Sequence, residues 1–283
     1  MSETASVIVR CKDEERTIER TLASLRAQTV EPEIIVVDSG SRDRSLEIAR
    51  RYCDKLIRIQ PGDFSYGRAL NIGARSASAP IHFALSAHCS AERYDWVERS
   101  LAHYERPDVA GTNGIQTLAD DTLVEEPFVQ DSTYLRMYPW WGFSNHASSW
   151  RADIWESYPF NEALDYAEDR EWAKRVLESG YVLVFDPELW IDVSHIWRNG
   201  VRNFYTRQRR ARASMDTFLD MGPYGWRQFV YDWWNRIPNE RHSPFFHRFI
   251  NYRRLAGLLG QLAGARESRR RSEHGGTPEA TSS

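Results

Sequence analysis

Polar residues able to do chemistry cluster directly after short apolar runs in this 283-residue chain. Arg10-Cys11-Lys12-Asp13-Glu14-Glu15 follows one such run, and Asp38-Ser39-Gly40-Ser41-Arg42-Asp43 closes another. Carboxylates placed there can accept hydrogen bonds from a nucleobase imide or from ribose hydroxyls. The same residues also read as local structure, Asp43 as a helix N-cap and Ser39-Gly40 as a tight turn. In Phe64-Ser65-Tyr66-Gly67-Arg68-Ala69-Leu70-Asn71-Ile72-Gly73, Gly67 opens a helix and Arg68 could reach a diphosphate. Gly73 inside that helix costs ~1 kcal/mol relative to alanine, which marks close packing or close approach. No GxGxxG follows a strand and no GxxxxGK[ST] occurs, so a bound nucleotide has to be held by these strand-end residues.

The elements that must position them follow from periodicity. Residues 6–10, 33–38, 55–59 and 81–85 predict strands. Between them Ile18, Leu22 and Leu25, then Leu46, Ala49 and Tyr52, then Leu70, Ala74 and Ala77 recur at helical spacing, and a fifth unit uses Val97, Leu101 and Tyr104. The β-α-β-α order predicts an α/β fold with a mainly parallel, Rossmann-like sheet and helices on both faces. Such sheets bind ligands at the carboxyl ends of their strands. Residues 109–195 are less regular, mixed strands and loops around one clear helix at 168–179. Residues 199–219 are arginine-rich and helical, residues 223–238 are dense in Trp and Tyr, and residues 251–265 form a short amphipathic helix. The expected division is a domain at 1–196, a helical extension at 197–266 and a disordered tail at 267–283.

Taken in order, these segments resemble the nucleotide-binding half of family-2 glycosyltransferases, through Val36-Val37-Asp38-Ser39-Gly40-Ser41-Arg42-Asp43 and Asn71-Ile72-Gly73. The resemblance, over about residues 6–195, implies a GT-A fold. It also implies inverting transfer of a sugar from a dTDP- or UDP-linked donor to a hydroxyl of a saccharide or lipid-linked saccharide. By the same resemblance Arg10, Lys12, Glu14, Asp38, Ser39, Gly40, Asp43, Arg68, Asn71, Ser86 and His88 contact the donor. Where the family carries Asp-x-Asp for a divalent cation, this chain has Ser86-Ala87-His88. Imidazole suits Mn2+ and Zn2+ better than Mg2+, although His88 also reads as a strand-end histidine bonded to backbone. Val193-Ser194-His195 resembles a motif that closes the metal–diphosphate site in relatives, so His88 and His195 are the expected ligands of a Mn2+ or Mg2+ ion.

Pro159-Phe160-Asn161-Glu162 and Tyr166-Ala167-Glu168-Asp169-Arg170-Glu171-Trp172 resemble the family's Glu-Asp motif, whose Asp is the catalytic base. Asp169 falls in the first turn of a helix, where the macrodipole favours its anion. Trp172, Ala173 and Val176, three, four and seven residues on, put it on the inward face. Such a carboxylate can take the proton of an acceptor hydroxyl as it attacks the anomeric carbon; the plainer reading is a capping carboxylate. Ser144, Asn145, Glu168 and Trp172 make the expected acceptor side. The nearest likeness is to bacterial members of rhamnosyltransferase type in capsule, O-antigen or exopolysaccharide assembly.

A net charge of −3 gives no electrostatic case for nucleic-acid binding. Three cysteines without metal or redox spacing fit a reducing compartment. The polar N-terminus and the lack of any run of ~20 apolar residues predict a cytoplasmic protein with peripheral contact at the inner membrane face. Arg198, Arg202, Arg207, Arg209, Arg210 and Arg212, with Trp226, Tyr231, Trp233 and Trp234, suit docking beside a lipid-linked acceptor. They also read as a solvated helix face and as core packing. Leu255, Leu258, Leu259 and Leu262 suit a packing or dimer helix, which makes a homodimer a further expectation. The competing reading is a catalytically inactive sugar-nucleotide-binding subunit, suggested by the missing Asp-x-Asp and opposed by Asp169. A methyltransferase would need a glycine-rich loop where Arg10-Cys11-Lys12-Asp13 has none.

Overall fold

Continuous apolar runs become strands buried on both faces, and these build the centre of the protein. The computed structural model describes residues 4–114, 116–117, 124–138, 142–192, 200–235 and 244–274. The chain divides into two compact units, residues 1–164 with 168–196, and residues 165–167 with 197–283.

The first unit begins with β1 (Ala5–Cys11), α1 (Ile18–Arg26), β2 (Glu33–Asp38), α2 (Ser45–Ala49), β3 (Lys55–Arg58), α3 (Tyr66–Ser76), β4 (Ile81–Ser86), β5 (Ser90–Ala91) and α4 (Trp96–Ala102). It continues through β6 (Val109–Asn113), β7 (Gln116–Thr117), β8 (Phe128–Gln130), α5 (Ser132–Met137), β9 (Ala147–Arg151), α6 (Ala152–Ser157), α7 (Glu168–Glu178), β10 (Val182–Phe185) and β11 (Ile191–Asp192). Eight strands form one sheet in the order β3-β2-β1-β4-β9-β6-β10-β8, and β5-β11-β7 form a smaller one. The strands β1 to β4 pair in parallel, as the β-α-β-α pattern predicts. Ile34, Ile35, Val36 and Val37 are all buried, as a strand covered on both faces requires. Ile18, Leu22 and Leu25 bury one face of α1. A Cβ at Gly73 would sit 2.4 Å from Ile8 Cγ2, so α3 rests directly on β1.

Strand β9 runs antiparallel between β4 and β6. Its sequence, Ala-Ser-Ser-Trp-Arg, does not read as apolar because its core contacts are partly polar. Buried Ser149 Oγ lies 2.6 Å from Tyr104 Oη, 2.7 Å from Thr112 Oγ1 and 2.8 Å from Ser100 Oγ. The registers explain where a site can form. Cys11 pairs with Asp38 and Arg10 with Ser86, so the segments leaving β1, β2 and β4 emerge side by side. Ala147 pairs with Leu85, so the segment entering the reversed strand β9 reaches the same edge.

The second unit contains α8 (Val201–Met215), α9 (Trp226–Asn235) and α10 (Pro244–His274). Glycines let α10 lie against α8. A Cβ would come within 2.8 Å of Phe204 at Gly257, 2.6 Å of the Tyr205 carbonyl at Gly260 and 2.4 Å of the Arg209 carbonyl at Gly264. Tyr224, Phe229, Leu258, Leu262 and Ala265 form this unit's core. The helix expected at 251–265 therefore starts earlier and runs to His274, past Glu267 where a disordered tail was expected. Polarity alone does not stop a helix. Arginine and glutamate are good helix formers, and Arg271 pairs with Glu267 one turn back at 2.6 Å. Among the described residues no helix is long and apolar enough to cross a membrane. The three cysteines are free thiols, and burial pushes Cys11 up to about 12 and raises Cys89 as well, so neither is a ready nucleophile.

Candidate active site

Asn145 holds together the residues at the carboxyl edge of the sheet. It is buried, and its backbone N–H donates to Asp169 Oδ2 at 3.2 Å while its side-chain Nδ2 donates to Glu168 Oε1 at 3.3 Å. Its carbonyl accepts from Arg10 Nη2 at 3.0 Å, and its Oδ1 accepts from Ser148 Oγ at 3.0 Å. Arg10, leaving β1, also reaches Glu168 Oε1 at 3.2 Å and lies 5.2 Å from the Tyr66 ring centroid. Glu168 and Asp169 open α7, directly after Ala167, whose φ of 63° is left-handed. That conformation costs a residue with a Cβ roughly 1–2 kcal/mol. Burial and then the like charge of Asp169 push Glu168 up to about 7, against the pull of Arg10. Half-buried Asp169 accepts from the Arg170 N–H at 2.8 Å.

The loops after β1 and β2 are zipped together. Asp13, at φ 54°, donates its N–H to Ser41 Oγ at 2.9 Å and accepts from the Arg42 N–H at 2.8 Å. Glu14 donates its N–H to Ser45 Oγ at 2.7 Å. Asp43 accepts from the Glu15 and Ser45 N–H groups and from the Ser45 hydroxyl. Its slight burial works to raise the carboxyl, but these bonds outweigh it and hold it below the usual range. Lys12 is exposed beside this loop, and Arg68 is 46% exposed with its guanidinium 4.0 Å from Glu162, so two cations border the edge.

His88 follows β4 and sets Nδ1 3.0 Å from Glu14 Oε1. Its ring centroid lies 6.0 Å from that of His146, whose Nδ1 is 3.2 Å from Ser144 Oγ and whose carbonyl accepts from the Ser86 N–H. Two imidazoles and a carboxylate thus meet at the ends of β4 and β9. Among the described residues no group of three His, Cys, Asp or Glu is arranged to hold a metal.

Residues 6–156 match the family model described as glycosyl transferase family 2. The chain belongs to that family. This family 2 protein is 29% identical over 194 residues to glycosyltransferase AglE of Haloferax volcanii, across 64% of this chain and 63% of the relative. It is 25% identical over 191 residues to the O-antigen chain rhamnosyltransferase WbaN of Salmonella anatum, across 61% and 60%. The matches span less than two thirds of either relative. Among solved structures, mannosyltransferase PcManGT from Pyrobaculum calidifontis, in complex with GDP-Man and Mn2+, gives a TM-score of 0.59 at 18% identity, covering 97% of this chain and 76% of that one. S. aureus TarS 1–349 in complex with UDP gives 0.53 at 14% identity, covering 94% and 91%. Likeness at such identities shows the fold, which is GT-A.

Several residues that the resemblance assigns to ligands make bonds within the family 2 scaffold. Asp38 is fully buried and spends its carboxylate on the Gly40 and Ser41 N–H groups, with Arg58 Nε at 3.7 Å. Ser39 is buried and donates both N–H and Oγ to the Cys11 carbonyl. Gly40, at φ 93°, leaves room for Pro61, which a Cβ would approach to 2.6 Å. Ser39-Gly40 is thus the tight turn of the plainer reading. Asn71 is buried, with Nδ2 donating to the Phe160 carbonyl and Glu162, and Oδ1 accepting from Trp155 Nε1 and the Phe160 N–H. It clamps α3 to the 159–162 segment. Trp172 is completely buried, its ring centroid 4.8 Å from that of Phe143 and 5.6 Å from that of Phe160, so it is core and not acceptor surface. Val193, Ser194, His195, Arg198 and the side chain of Trp234 lie outside the described residues. The residues that sequence reasoning passed over are Tyr66 and His146. The signal for His146 was its place in Ser144-Asn145-His146, although the reversed strand that brings it beside His88 has no apolar pattern.

Proposed function

We propose that this chain is an inverting glycosyltransferase, moving a sugar from a dTDP- or UDP-linked donor to a hydroxyl of a saccharide or lipid-linked saccharide in polysaccharide assembly. Residues 1–196 are then the catalytic domain, followed by a helical extension whose last helix, α10, ends at His274. The observation that carries the reading is Asp169, held by the Asn145 N–H at the start of α7, at the sheet edge where β1, β2 and β4 end.

In this reading the diphosphate lies near Lys12 and Arg68, where cationic side chains offset its charge. Asp169 takes the proton of the acceptor hydroxyl as its oxygen attacks the anomeric carbon. The bond from that carbon to the diphosphate oxygen breaks with its electron pair, and the nucleoside diphosphate leaves from the opposite face, which inverts the centre. Glu168 anchors Arg10 and Asn145 and so fixes the base without touching the sugar. The donor set of His88 and His146 fits a divalent cation in part, and Mn2+ in the PcManGT complex supports it. Those two imidazoles would hold the ion, and when bound it would neutralise charge on the departing diphosphate.

The test is thermal unfolding with UDP, dTDP, GDP and CDP, each with Mn2+, with Mg2+ and with EDTA, because a ligand selective for the folded state raises its stability. A rise with UDP or dTDP is the expected result. No rise with any nucleotide would remove the donor site.

A further inference from the structure

Charge is divided unevenly along this chain. Residues 197–283 hold sixteen arginines and no lysine against seven Asp and Glu, a net of +9, while residues 1–196 carry −12, together the −3 of the whole. The second unit is therefore strongly cationic, and its cations are all of the type that pairs bidentately with phosphate.

Helix α9 adds an apolar counterpart. One side of it is core, with Phe229 buried and Trp233 packed on the cluster of Tyr224, Leu258 and Leu262. Beside it Trp226, Arg227, Val230 and Tyr231 make an exposed stripe that begins at the core's edge, where the Trp226 ring centroid lies 5.2 Å from that of Phe229. Trp226, Val230 and Tyr231 are 55%, 59% and 60% exposed. Large side chains grouped on one solvent-facing stripe mark an interaction surface. Trp and Tyr in particular favour the boundary between lipid and water. Arginines border the stripe. Arg266 of α10 lies 5.6 Å over the Trp226 ring, and Arg269 donates to the Tyr224 carbonyl, two residues before α9 begins.

We propose that this stripe of α9 and the arginine-rich end of α10 dock on an anionic lipid bilayer. Trp226, Val230 and Tyr231 enter the headgroup boundary, and Arg227, Arg266 and Arg269 meet lipid phosphates. Charge complementarity selects a polyanionic partner, and the apolar stripe selects a bilayer over a nucleic acid, whose backbone offers nothing to Val230. The contact is peripheral, since no described helix can cross a membrane. It is independent of the sugar-transfer reading.

The experiment is sedimentation of the full chain with phosphatidylglycerol–phosphatidylcholine vesicles against phosphatidylcholine alone. Binding to the anionic vesicles, weakening as salt rises, is expected. Arg227→Glu should lower affinity by roughly fivefold for each unit of charge lost. Val230→Asn should weaken binding at high salt most, and both variants should melt like the parent because Arg227 and Val230 are exposed. Failure of the chain to pellet with anionic vesicles at low salt would overturn the proposal, as would unchanged binding by both variants. Retardation of a nucleic-acid probe without vesicle binding, or a dimer that these variants split, would assign the face to a different partner.

Discussion

Asn71 separates a scaffold role from a ligand role most cleanly. Replacing it with alanine removes the acceptor for Trp155 Nε1 and the Phe160 N–H, and the donor to Glu162 and the Phe160 carbonyl. Trp155 and Phe160 are both buried, so the two stranded N–H groups gain no water. Each buried donor left unmade costs about 1–3 kcal/mol, which gives ~2–6 kcal/mol for Asn71→Ala. In a unit of this size 1 kcal/mol moves the melting temperature by roughly 2–4 °C, so a fall of around 10 °C is expected. The nucleotide affinity of the folded protein should stay within about twofold, because nothing of Asn71 is free to meet a ligand. Circular-dichroism melts and titration calorimetry with the nucleotide found to bind supply both readings. A melt unchanged within error, together with a large loss of nucleotide affinity, would refute the clamp and return Asn71 to the donor site.

Asp169→Asn should lower kcat by about 10²–10⁴ while nucleotide binding persists, the range for loss of a general base; a rate close to the parent's would end the assignment. Glu168 has its carboxyl raised from 4.5 to about 7, so the folded protein keeps a proton that the unfolded chain releases first. Its contribution is fully present below 4.5 and is lost as pH rises through about 7. Glu168→Gln should flatten that fall, measured by denaturant melts on either side of the window, and equal slopes in parent and variant would show that Glu168 is not its source. His88→Ala and His146→Ala should each abolish the Mn2+-dependent part of the thermal shift. Persistence of that part in both would exclude these imidazoles as its ligands.

The parallel half of the fold was legible because β1, β2 and β4 are buried on both faces and read as unbroken apolar runs. Strand β9 was not, since Ser148 and Ser149 satisfy their hydroxyls inside the core and erase the pattern. At the site, residue types were visible but their partners were not. Asp38 reads as a strand-end carboxylate, and its bonds to the Gly40 and Ser41 N–H groups appear only in the fold. Asn71 looks free until the chain returns far downstream with Trp155, Phe160 and Glu162. The place of Asp169 in the first turn of α7 was legible because helix spacing is a local signal. His146 depends on a strand reversal that spacing does not encode.

Asn145 has a consequence for how this site can change over generations. One residue contacts Arg10, Ser148, Glu168 and Asp169 through four different groups. Substitutions among neighbours that share such a partner do not add, so a replacement tolerated in one background fails in another. A library meant to reshape the site should therefore randomise these positions jointly.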